Sequence, residues 1–182
     1  MGKRRLTSAI AIGVLASVVA AASAPLQSFD LLVPKDRGGV RIASGVAYGE
    51  GSRRTLDIYA PRNRQPGAKL PIVVFFYGGS WDSGTRTGYS FVGRALAAQG
   101  FLVVIPDYRI GPDNVYPDFL TDGADAVRWV IAHGRSYGGA PERIVLSGHS
   151  AGAYIAAMLT FDTRWLGSSR SAIKGFVGIA GP

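Results

Sequence analysis

Three short apolar runs, each closed by glycine or proline, constrain this chain most. LPIVVFFYGG carries the run Ile72–Phe76 into two glycines, FLVVIP follows Gly100, and RIVLSG leads into Gly148. A strand with one wet face alternates apolar and polar side chains, so an uninterrupted run reads as a strand buried on both faces. Between the runs, Phe91, Val92, Ala95 and Leu96 share one face of a helix that stops at Gly100. Leu120, Ala124, Val127 and Ile131 recur at helical spacing as far as His133 and Gly134. Residues 150–160 read as a third helix and IKGFVGIAG as a last strand. Upstream, GVRIASGVAYGEGSRRTLDIYAP reads as a hairpin turning at residues 49–52. Its second strand, with Leu56 and Ile58 on either side of Asp57, is expected to be half-buried. Strands alternating with helices predict an α/β fold with a mostly parallel sheet covered on both faces.

Composition narrows the chemistry. A chain of 182 residues, 47% hydrophobic and 18% charged, fits one packed domain. It has no cysteine, which excludes disulfides, thiolate metal sites and a cysteine nucleophile. With two histidines and no His/carboxylate cluster, neither a metal nor an organic cofactor is expected. Three cations of the +8 formal charge, Lys3, Arg4 and Arg5, open the chain. The others are scattered, without the stripe or motif of a nucleic-acid binder, so no nucleic-acid partner is expected. After the opening cations an apolar run extends from Leu6 to about Ala22 and ends in small residues. This is the pattern of a secretory signal peptide over residues 1–24, leaving 25–182 as the domain. The run is shorter than the ~20 residues of a spanning helix. Export, secreted or periplasmic, is therefore expected, with a membrane anchor formed by the uncleaved segment as the alternative.

Gly148-His149-Ser150-Ala151-Gly152 is a G-x-S-x-G pattern between an expected strand and an expected helix. That context suits a nucleophile elbow, in which a sharp turn lifts the serine hydroxyl above the sheet and glycines leave room for the crossing backbone. Free N–H groups at the helix start would face developing negative charge. FFYGGSWDSG ends an earlier strand and could supply further N–H donors to an oxyanion. The plainer alternatives are an incidental serine in a Gly-rich turn and a flexible loop closed by Trp81.

The two motifs, their order and their separation resemble the α/β-hydrolase superfamily. They resemble most its esterase/lipase branch with an H-G-G-x-W oxyanion loop, which includes hormone-sensitive-lipase-like esterases and arylformamidases. LDIYAP, DYRIGPDNVYPD and GHSAGAYIAA are similar to that branch too. The resemblance implies an α/β-hydrolase fold, Ser150 as nucleophile, and Gly79, Ser80 and Ala151 as oxyanion donors. Where the motif has a leading His, this chain has Tyr77, whose hydroxyl is expected to brace the loop. Asp107 and Arg109 are expected to brace a loop after a strand end, and Asp118 to open a helix.

The superfamily order is Ser, then Asp or Glu, then His. After Ser150 this chain has one acid, Asp162, and no His. His149 is expected to be structural and His133 to end a helix. The chain therefore reads as the front part of a larger hydrolase, stopping after about the sixth strand and near-inactive by itself. In the complete enzyme a later His and acid would serve Ser150, and the substrate would be a small-molecule carboxylic ester. The alternatives are a non-catalytic binding module of the same fold, and a formamidase, thioesterase or peptidase.

Overall fold

The apolar runs become the centre of one sheet. The computed structural model describes residues 33–112 and 115–182; the expected signal peptide lies outside the described residues. The elements are β1 (Gly39–Ala47), β2 (Thr55–Pro61), β3 (Leu70–Phe76), α1 (Ser90–Ala98), β4 (Leu102–Pro106), α2 (Asp118–His133), β5 (Gly139–His149), α3 (Ala151–Phe161), α4 (Thr163–Leu166) and β6 (Ile173–Ile179). The strand order is β1-β2-β4-β3-β5-β6. Strands β4, β3, β5 and β6 run parallel, and β2 is antiparallel to both β1 and β4. This is the mostly parallel sheet with an N-terminal hairpin that the residues predict.

Helices cover both faces because neighbouring strand residues point opposite ways. Phe75 points toward Phe91 and Val92 of α1, while Phe76 points toward Gly123 of α2. Close approach depends on glycine at two helix positions. A Cβ on Gly93 would stand 2.6 Å from the Tyr59 ring, and one on Gly123 would stand 2.9 Å from Ile155 of α3. The central strands carry the core: Ile72, Val74, Phe76, Leu102, Val103, Ile105, Ile144 and Leu146 are fully buried.

One expectation is corrected. β2 is not half-buried; Leu56 through Ala60 are all buried, and Asp57 is 0% exposed. Asp57 shares its face with Tyr59, under α1, and its carboxylate is met there by four donors. Ser44 Oγ (3.0 Å), the Gly45 N–H (2.9 Å), Arg41 Nη1 (3.1 Å) and Arg86 Nε (2.8 Å) all donate to it. A buried carboxylate is tolerated when it is paired and hydrogen-bonded. Polarity alone therefore misread the strand's outer face.

Candidate active site

The loops that matter gather where β3 and β5 end. Ser150 sits between β5 and α3 at φ 51°, ψ −121°. A non-glycine residue so placed carries about 1–3 kcal/mol of backbone strain, so its surroundings must hold it there. Its N–H donates to Ile179 O (2.9 Å), and its carbonyl accepts from the Ala153 N–H (2.8 Å). The flanking glycines are steric necessities. A Cβ on Gly148 would lie 2.2 Å from Gly152 O, and one on Gly152 would lie 2.1 Å from Phe76 O.

The loop after β3 lies against this turn. A Cβ on Gly78 would stand 2.9 Å from His149 Nδ1 and 3.0 Å from Ser150 Cβ. Gly79, Ser80 and Trp81 follow at φ 137°, 53° and 62°. Gly79 O accepts from the N–H groups of Asp82 (3.1 Å) and Ser83 (3.0 Å), which closes the loop on itself. Among the described residues, the N–H groups of Gly79, Ser80 and Ala151 donate to no protein acceptor. The three expected donors and Ser150 thus come from two adjoining turns.

The loop is held from behind by residues the motif does not contain. The Tyr77 side chain is buried, and its hydroxyl accepts from Arg53 Nη2 at 2.7 Å. The same nitrogen donates to Gly84 O (2.9 Å), and Arg53 Nε donates to Tyr108 O (3.2 Å). The Tyr108 hydroxyl donates to Tyr77 O (2.7 Å), with the two rings stacked at 4.6 Å. Burial and then the Asp107 charge push the Tyr77 phenol well above its ordinary value, so it stays neutral. Tyr77 does brace the loop, with Arg53 as its partner. Nothing local in the sequence marks Arg53, which stands on the β1–β2 turn.

The histidines point elsewhere. His149 Nδ1 lies 2.8 Å from the Tyr89 hydroxyl, which also accepts from the Gly78 N–H (3.3 Å). Burial pushes the Tyr89 phenol up, against the opposing effect of the Gly78 N–H. His149 is thereby tied to the α1 side of the sheet. His133 ends α2, stacks on Trp129 at 4.6 Å and bonds Trp129 O (2.9 Å). It precedes the start of β5, the end of that strand away from Ser150. Asp162 caps α4, accepting from the Arg164 N–H (3.0 Å).

The expected Asp107–Arg109 brace exists with its partners exchanged. Asp107 accepts from the Arg86 N–H (2.7 Å) and pairs with the Arg86 guanidinium. Arg109 instead holds the buried Asp122, with its Nε 2.9 Å from Oδ2. Asp118 opens α2, as expected, and Arg109 Nη1 lies 3.4 Å from it. On the α2 side of the elbow, Trp81 stacks on Phe119 (5.4 Å) and meets Tyr154 edge-on (5.6 Å). On the α1 side an apolar cavity of about 240 Å³ is lined by Phe75, Phe91, Val92 and Ile179 beside His149.

Both turns lie within one stretch of family likeness. The profile described as BD-FAE matches residues 56–168, from β2 through α4. The chain belongs to the BD-FAE family. This BD-FAE chain is 34% identical over 148 residues to a probable isoprenylcysteine alpha-carbonyl methylesterase of Oryza sativa subsp. japonica, covering 78% of this chain and 35% of that protein. Among solved structures it is similar to esterase 2 of Thermogutta terrifontis, with 30% identity, a TM-score of 0.57, and 70% of this chain and 47% of the other covered. Esterase B of Lactobacillus rhamnosis, at 24% identity and a TM-score of 0.77, matches over 96% of this chain and 57% of its own, which shows the α/β-hydrolase fold. The chain spans roughly a quarter to a third of the length of the curated relatives it matches.

Proposed function

We propose that this chain carries the nucleophile and oxyanion side of a serine hydrolase acting on a small carboxylic ester. Ser150 attacks the acyl carbon, and the N–H groups of Gly79, Ser80 and Ala151 receive the oxyanion. One such donor is typically worth a hundred- to a thousand-fold in rate. The observation that carries the reading is Ser150 held in a strained turn directly against the Gly78–Gly79 loop. The esterase names of the relatives support it. Residues outside the 182 supply the proton acceptor and the acid that orients it, because both histidines of this chain are engaged away from Ser150. Loss of the base from a triad costs about a million-fold in turnover. Export through removal of residues 1–24 belongs to the same proposal.

The test is incubation of this chain with an activated alkyl phosphonate ester, followed by peptide mass spectrometry. A slow adduct confined to Ser150 and absent from Ser150→Ala is expected, together with negligible ester turnover. An adduct spread over other residues would sink the nucleophile assignment. Ordinary ester turnover by these residues would sink the assignment of the base to residues outside them. The engagement of both histidines favours one second reading, a binding module that keeps the pocket without the chemistry. Complete failure of Ser150 to label would leave that reading standing.

A further inference from the structure

The sequence shows its cations as scattered, but the fold sorts them. Near the Ser150 end, arginines are consumed by carboxylates: Arg41 and Arg86 by Asp57, Arg86 also by Asp107, and Arg54 and Arg109 by Asp122. At the other end of the sheet, the β2–β3 connection faces the turn between α2 and β5 across an open groove of about 690 Å³. Arg62, Arg64 and Lys69 stand on one wall and Arg135 on the other, all four exposed. Among the described residues no carboxylate pairs with Arg62, Arg64 or Lys69; Arg135 alone has one, Glu142 at 3.2 Å. Arg62 is steadied by its Nε donating to Arg37 O (2.9 Å).

The walls are rigid where they meet. The Leu70 N–H donates to Gly138 O (2.9 Å), and β3 pairs with β5 from Leu70↔Gly139 onward. Four cations thus line one groove, with Glu142 as the one carboxylate paired to any of them among the described residues. This is the charge arrangement of a focusing cleft.

We propose that this groove is a docking site for a linear phosphate-bearing polyanion. Four cations on two facing walls call for several linked anions, and a phosphate chain supplies one on every repeat. Three of the four are arginines, whose forked donors match phosphate oxygens. The lining disfavours two other occupants. The exposed large apolar side chains, Val115, Tyr116, Phe161, Val177 and Ile179, lie outside the groove, so it lacks what inserts into a lipid surface. Its single aromatic, Tyr137, packs toward Trp129 at 6.0 Å and offers no run of stacking faces for bases. The site stands apart from the esterase reading: β5 separates it from Ser150 by eleven residues, roughly 35 Å of strand.

Inorganic polyphosphate is the probe, titrated into the protein across a salt series. Binding should weaken with salt at a slope of about −2 to −3 in log–log form, the ~0.7 per phosphate of a single strand taken over three or four cations. The Arg64→Glu/Lys69→Glu double variant should lose at least about tenfold in affinity. Glu50→Lys changes the net charge at the exposed β1–β2 turn, at the Ser150 end, and should leave binding unchanged. The proposal is overturned by absence of binding, by an unaffected double variant, or by a gain in Glu50→Lys as large as the double variant's loss. It is also overturned if polygalacturonate, duplex DNA or phosphatidylglycerol vesicles bind as tightly as polyphosphate. Matching circular-dichroism melts of the variants and the parent protein tie any loss to the groove.

Discussion

The strain at Ser150 gives a prediction with an unusual sign. Glycine inside a regular element costs about 0.5–1 kcal/mol relative to alanine. At φ 51°, ψ −121° the order reverses, because glycine occupies that region freely and alanine does not. Ser150→Gly should therefore be more stable than Ser150→Ala by about 1 kcal/mol in urea unfolding at pH 7. Equal stability, or an advantage for alanine, would mean that the elbow is not strained. The neighbouring glycines also favour glycine over alanine, but for a steric reason rather than a backbone one. An alanine at Gly152 would put its Cβ 2.1 Å from Phe76 O, a contact that only a shift of α3 or β3 relieves. This residue-level pattern was legible in the sequence because G-x-S-x-G states a steric requirement directly. Gly148 and Gly152 are small because backbone passes where their side chains would be.

Strands and helices were legible for a related reason, since each rests on a local rhythm. The uninterrupted runs became β3, β4 and β5, and the helical spacing from Leu120 to Ile131 became α2. What stayed hidden was the polar bracing between elements, because its partners lie far apart in the chain. Asp57 meets Arg41, sixteen residues before it, and Arg86, twenty-nine after it. Arg53 meets Tyr77 across twenty-four residues. A strand with an Asp at its centre then looks half-wet, and an Arg in a hairpin turn looks solvated. Arg53→Leu tests the brace behind the loop. It leaves the Tyr77 hydroxyl, Gly84 O and Tyr108 O without this donor, at a cost of about 2–4 kcal/mol in stability. Phosphonate labelling of Ser150 should also slow in this variant, since two of the proposed oxyanion donors, Gly79 and Ser80, sit on the loosened loop. Labelling at the parent rate in a destabilised Arg53→Leu would confine the brace to a structural role.

At the scale of the whole molecule, paired carboxylates at one end of the sheet tie stability to pH. Asp57 is fully buried at the junction of β1, β2 and the turn before α1. Burial by itself would raise its pKa, but the bonds from Arg86, the Gly45 N–H and Ser44 outweigh it and hold the carboxyl below its usual range. Below the ordinary aspartate value of about 3.9, the unfolded chain takes up a proton that the folded chain still refuses. The contribution of Asp57 is thus fully present above that value and is lost as pH falls through the depressed folded value. Asp57→Asn removes the charge that Arg41 and Arg86 share, and at pH 7 should cost about 2–4 kcal/mol, as for breaking a buried pair. Urea titrations of parent and variant from pH 7 to pH 2 should show a gap that is constant down to about pH 4 and narrows below it. A gap that stays constant to pH 2 would mean that Asp57 contributes shape rather than charge. A parent that instead gains stability on the variant between pH 7 and pH 5 would mean that its carboxyl is raised, with desolvation outweighing the arginines.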